Sequence, residues 1–91
     1  MEAELGRVAL SVAGRDKGKY FVICGIVDDR YVLIADGKFH KIGAPKKKNL
    51  RHLKLLKQTI LVEKLQNNKK IFDSELYKAL KVFYNDDKKE E

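Results

Sequence analysis

The residues with the most evident chemical potential lie in AGRDKGKYF, residues 13–21. Gly14 and Gly18 bracket Arg15, Asp16 and Lys17, and Lys19 follows at once. Glycines followed by a lysine are how nucleoside-triphosphate loops are built, and that chemistry has strict requirements. It needs G-x-x-x-x-G-K-[ST] between a strand and a helix, so that backbone N–H groups hold phosphates and the Ser or Thr hydroxyl holds magnesium. Here three residues separate the glycines, Tyr20 stands in place of Ser or Thr, and the following YFVICGIV has a strand pattern. The three failures together set that reading aside. A β-hairpin turn fits every residue instead. Gly14 and Gly18 can take positive φ there, and Arg15, Lys17 and Lys19 would stand near the tip, away from the core. The plain alternative is a solvated turn.

Other reactive side chains form no constellation. His40 and His52 are the two histidines, and Cys24 is the single cysteine. Without C-x-x-C or H-x₃-H spacing no metal site is expected, and no cofactor. His52, beside Arg51, suits an RNA contact or a surface strand position. Asp28 and Asp29 are adjacent, so on a strand they would point apart; turn formation explains them better. Cys24 sits in the most apolar run and reads as an inert core thiol. It has no partner for an internal disulfide, which fits a reducing, cytosolic setting. Tyr31 and Phe39 could stack on bases, although core packing is the simpler role for both.

Charge gives the strongest indication of a partner. The 91 residues carry a net charge of +7, and residues 1–57 hold all of it, with 13 Lys/Arg against 6 Asp/Glu. Residues 58–91 balance at 7 against 7. From Lys38 to Lys57 there are eight basic residues and no acid. Such a block favours a polyanion, because each phosphate it neutralises releases condensed counterions. No apolar run approaches the roughly 18 residues needed to cross a membrane, and the start, MEAELGR, has no secretory pattern.

The elements that must position these groups are mostly strands. Leu5–Ala13 alternates Val8, Leu10 and Val12 with Arg7, Ala9 and Ser11, the period of a half-buried strand. Tyr20–Val27 is apolar on both faces, with Phe21, Ile23 and Val27 on one and Tyr20, Val22, Cys24 and Ile26 on the other. Gly25 marks a bulge or bend within it. Residues 28–30 form a turn and Tyr31–Ala35 a third strand. Asp36-Gly37 is a tight-turn signal across which Phe39–Ile42 would pair as a fourth strand. KKKNLRHLKLLK fits a helix or a strand equally. A short helix capped by Thr59 is expected next, with Leu61 and Leu65 one turn apart. A clearer helix starts at Phe72-Asp73-Ser74-Glu75, where Asp73 can cap, Glu75 favours the positive helix end and Phe72 can staple onto Tyr77. Its Leu76, Leu80 and Phe83 line one face, which is expected to cover the second apolar face of the central strands. The polar tail from Asn85 is expected to fray.

VALSVAGRDKGKYFVICGIVDD resembles the KOW motif: an alternating strand, a Gly/Lys-rich turn and a second apolar strand. YVLIADG followed by HKIGAPKKKNLRHLK extends the likeness to the large-subunit ribosomal-protein group of proteins fourteen-e, six-e and twenty-seven-e. The likeness covers about residues 5–57. It implies a mostly β chain: a five-stranded SH3-like barrel over residues 1–57, with Leu53–Lys57 as its closing strand, then a helical extension over 58–91 that matches no motif and reads as this chain's own. It also implies non-enzymatic binding of RNA, commonly ribosomal RNA. Carried over by position, the turn supplies Gly14, Arg15, Lys17, Gly18 and Lys19, and the second segment supplies Lys46, Lys47, Lys48, Asn49, Arg51 and His52. Lys54 completes the basic stretch, and Gly37 serves its own turn. The expected setting is a cytoplasmic, translation-related monomer on structured RNA, away from membranes, with the large ribosomal subunit as a candidate partner. The alternative is a protein-interaction module docking on a transcription or translation factor through Tyr20, Tyr31 and the helix Leu76–Tyr84. Nothing in the residues supports an enzyme.

Overall fold

Runs of β-branched and aromatic residues separated by turn formers produce five strands. They are β1 (Arg7–Ser11), β2 (Tyr20–Ile26), β3 (Tyr31–Ala35), β4 (Lys46–Asn49) and β5 (Leu53–Thr59). In the computed structural model, which describes residues 2–89 and side chains through Tyr84, they form one antiparallel sheet in the order β4-β3-β2-β1-β5. The last strand returns beside the first, and a 3₁₀ turn at Leu50–His52 joins β4 to β5. The chain is therefore mostly β, in the arrangement of a small SH3-like barrel. Two helices follow, α1 (Val62–Gln66) and α2 (Asp73–Lys89).

Both faces of the central strands are buried, and the alternation along β2 and β3 sorts the residues. Phe21, Ile23, Val32 and Ile34 point into the barrel, where Ala9 and Leu53 join them. Val8, Tyr20, Val22 and Ala35 point outward, under Ile71 and the α2 residues Leu76 and Leu80, with Phe83 packed alongside. The radius of gyration, 12.1 Å, matches the roughly 12 Å of a single compact body of this length, so α2 lies on the sheet rather than projecting from it. Burying Val8 and Ala9 together corrects the half-buried reading of β1: that strand lies inside the sheet between β2 and β5, with Ala9 in the barrel and Val8 in the cluster on the outer face.

Other departures have local causes. The bulge expected at Gly25 is present, as a register shift between Ile23 and Gly25. It inverts the side-chain parity beyond it, so Val27 lies outside the strand and is exposed instead of continuing the Phe21–Ile23 face. Phe39–Ile42 is not a strand. The Asp36 Oδ1 accepts hydrogen bonds from the N–H groups of Lys38, Phe39 and His40 at 3.0, 2.9 and 2.9 Å. Amides bound to a carboxylate cannot donate to a neighbouring strand, and the fourth strand forms at Lys46–Asn49. Thr59 does not cap α1; it ends β5 opposite Arg7, and Leu61, at φ 53°, precedes the helix instead. Asp73 does not cap its own helix either: its Oδ1 accepts from the Ile42 N–H at 2.8 Å and ties α2 to the barrel. Glu75 reaches back to accept from the Phe72 N–H at 3.0 Å, half of a capping box. Asp28 closes the β2–β3 turn as expected, accepting from the N–H groups of Arg30 and Tyr31. Of the polar tail expected to fray, Glu90 and Glu91 lie outside the described residues, while the α2 backbone is helical to Lys89.

Candidate nucleic-acid interface

The β1–β2 turn is closed by its own backbone. The Gly18 N–H donates to the Ser11 carbonyl at 2.8 Å and the Lys19 N–H to that of Asp16 at 3.0 Å. Gly14 and Gly18 adopt φ of 79° and 89°. Within this turn Asp16 points inward and is 5% exposed. Its Oδ2 accepts from Lys46 Nζ at 2.8 Å, and His40 Nε2 lies 3.3 Å from both carboxylate oxygens. Burial favours the protonated acid, but the hydrogen bonds from Lys46 and His40 and their charges outweigh it, so the carboxyl titrates below its ordinary value.

Two further contacts hold the turn against β4 and the 3₁₀ turn. Lys48 is 6% exposed, and its Nζ donates to the Ala13 carbonyl at 3.2 Å. The Val12 N–H donates to the His52 carbonyl at 2.9 Å. The hairpin and the second basic segment, about thirty residues apart in sequence, thus form one surface. Arg15, Lys17, Arg51, His52 and Lys54 are exposed on it. The remaining named residues have contacts of their own. Lys46 is bound to Asp16, and the Asn49 side chain accepts from the Arg51 N–H at 2.9 Å to cap the 3₁₀ turn. Lys47, on the opposite face of β4 from Lys46 and Lys48, places its ammonium 4.7 Å from the Tyr31 ring centroid. Lys19 turns away from the tip to sit 3.9 Å over the Phe39 ring.

Phe39 corrects the core-packing expectation, since it is 53% exposed. The ammonium groups of Lys19 and Lys38 lie 3.9 and 5.2 Å from its ring centroid, and the Asp36-centred turn carries it outward. Tyr31 is half-buried. Sequence reasoning gave Asp16 no role and read Asp36 only as part of a tight turn with Gly37, yet these two buried acids shape both loops. A cue was available: Asp16 is an acid enclosed by basic residues in a turn whose other members need no carboxylate. Cys24 is partly buried, with burial pushing its thiol up to about 11. Among the described residues no three His, Cys, Asp or Glu side chains gather as a metal-binding group, and no helix is long and apolar enough to cross a membrane.

No family model matches the chain. Individual proteins do. Large ribosomal subunit protein eL14 of Desulfurococcus amylolyticus is 30% identical over 77 residues, 85% of this chain and 75% of that protein. The protein of the same name from Hyperthermus butylicus is 32% identical over 77 residues, covering 85% and 74%. That of Staphylothermus marinus is 35% identical over 57 residues, covering 63% and 59%. A match of 77 residues cannot fit within residues 1–57, so it reaches into the helical part. The extension is therefore shared in part with these relatives, which corrects the reading of it as this chain's own.

Proposed function

The chain belongs to the eL14 family of large ribosomal subunit proteins, and on that premise we propose that it is a non-enzymatic RNA-binding protein of the ribosome. Its ligand is ribosomal RNA of the large subunit, its place the cytoplasmic ribosome, and it binds as a monomer. The barrel, which runs to the end of β5 at Thr59, carries the RNA surface, and α1 and α2 form the helical layer that supports it. The carrying observation is the joining of two basic segments by Asp16, Lys46 and Lys48. This leaves Arg15, Lys17, Arg51, His52 and Lys54 exposed together. Lys46, Lys48 and Asn49 hold that surface in shape, while Lys47 and Lys19 lie on its flanks. Long flexible cations spread over a rigid face suit phosphate contacts and recognition of RNA shape rather than of base edges.

Filter binding to large-subunit ribosomal RNA tests this. Arg15→Glu with Lys17→Glu weakens binding strongly, and unchanged affinity contradicts the proposal. The second reading, a protein-docking module, draws on the exposed Tyr77 and Val82 of α2. An association that survives nuclease and high salt would favour it.

A further inference from the structure

A cleft of about 330 Å³ opens between the start of β2, the Asp36-centred turn and α2. Its apolar walls are Tyr20, Phe39, Tyr77 and Tyr84, with Leu80 below. Tyr20 and Tyr84 are locked edge to face at 5.0 Å, and the Tyr84 hydroxyl accepts from the Tyr20 N–H at 2.9 Å. Phe39, Tyr77 and Tyr84 are 53%, 39% and 36% exposed, and of these Phe39 and Tyr77 stand outside the Tyr20–Tyr84 lock, so their rings line a cleft open to water. Lys19, Lys38 and Lys81 surround them. Lys38 Nζ lies 5.2 Å from the Phe39 centroid and 5.6 Å from that of Tyr77. Among the described residues the one acid on the lining is Asp36, 5% exposed, with Oδ1 committed to three amide donors.

We infer that this cleft holds one unstacked nucleotide of the bound RNA: its base takes the place of the Lys19 and Lys38 ammonium groups against the Phe39 and Tyr77 rings, and those cations, with Lys81, move onto its flanking phosphates. Three features select that occupant. Flat aromatic faces accept any base by stacking. Cations on the rim complement the phosphates on either side of it. The volume lies at the lower end of ligand pockets, roughly 300–1,000 Å³, which suits one nucleotide rather than a peptide segment. The cleft also continues the proposed RNA surface, because Lys19 ends the same turn that carries Arg15 and Lys17. The inference rests on the RNA-binding reading but concerns a separate group of residues.

Two hairpin RNAs with identical stems test it, one fully paired and one with a single bulged 2-aminopurine. The bulged RNA is expected to bind about ten-fold more tightly, as one base–aromatic stack allows, with its fluorescence quenched in the complex. Phe39→Ala and Tyr77→Ala each reduce that advantage and leave the paired hairpin's affinity unchanged; both side chains are solvent-exposed, so the fold tolerates their loss. Arg15→Glu with Lys17→Glu weakens both RNAs alike and preserves the ratio. Equal affinity for the two hairpins, or an advantage that survives both aromatic substitutions, overturns the inference while leaving the RNA surface intact. If neither hairpin binds, the RNA-binding reading fails, and AMP followed by the ring resonances of Phe39 and Tyr77 decides the cleft alone. Shifts confined to those rings support it, and none up to about 10 mM overturns it.

Discussion

Asp16 is the residue on which the basic surface turns. It is an acid among cations, yet it draws Lys46 and His40 onto the hairpin and so sets where Arg15 and Lys17 stand. Asp16→Asn is expected to cost about 1–2 kcal/mol, below a fully buried pair because water reaches Lys46. The pH dependence has a definite sign. The folded carboxyl titrates below its ordinary 3.8, so its contribution is complete above that pH and is lost as pH falls through the lower folded value. Urea titrations of both proteins should show the stability gap at pH 6 shrinking below about pH 4; a gap independent of pH would contradict the ion-pair role. Cys24 gives a second residue-scale test. With the thiol at about 11, the thiolate fraction at pH 8 falls roughly 100-fold below that of an ordinary cysteine. Iodoacetamide should label native protein that much more slowly than urea-unfolded protein, and equal rates would show an accessible, reactive thiol.

At the scale of elements, the seam between barrel and α2 passes through Gly37. It adopts φ of 81°, and a Cβ there would run into the Asp73 carbonyl oxygen and lie 3.1 Å from the Tyr77 nitrogen. Gly18 has a similar φ of 89° but open space around it. Gly18→Ala is therefore expected to cost only left-handed strain, about 1–2 kcal/mol, and Gly37→Ala to cost more and loosen α2. Urea midpoints measure this, and equal costs would mean the seam yields freely. The same elements show what a sequence reveals. β1, β2, β3 and the start of α2 are legible because their apolar spacing carries the fold directly. β4 is not, because KKKN has no strand pattern; its extended form comes from pairing with β3, where Ile34 faces Lys46 and Val32 faces Lys48. Lysines also protect a sheet edge from unwanted pairing, so edge strand and basic face coincide. Phe39–Ile42 misleads because a carboxylate from Asp36 takes amides that composition would assign to a ladder.

For the whole molecule, net charge locates the partner's sign but overstates the number of free cations. Arg7 donates to the Leu56 and Lys57 carbonyls and pairs with Glu4, while Lys46 and Lys48 hold the turn. The residues that fix the surface and those that offer charge to a ligand are thus largely different. The basic block was visible in the sequence; this division of labour was not, since it depends on contacts between distant segments. The cleft beside α2 was hidden for the same reason, as Phe39 and Tyr77 meet only in the fold. The helical layer, nearly neutral, is expected to contribute little to long-range attraction. The most direct test is the salt dependence of binding to large-subunit ribosomal RNA, comparing the wild type with two charge-reversed proteins. Reversing Arg15, Lys17, Arg51 and Lys54 together should lower the affinity and flatten the slope of log K against log salt by up to about 0.9 per lost phosphate contact. Reversing Lys69 and Lys70, outside the barrel, should leave the slope near the wild-type value. Equal slopes for all three proteins would contradict the account.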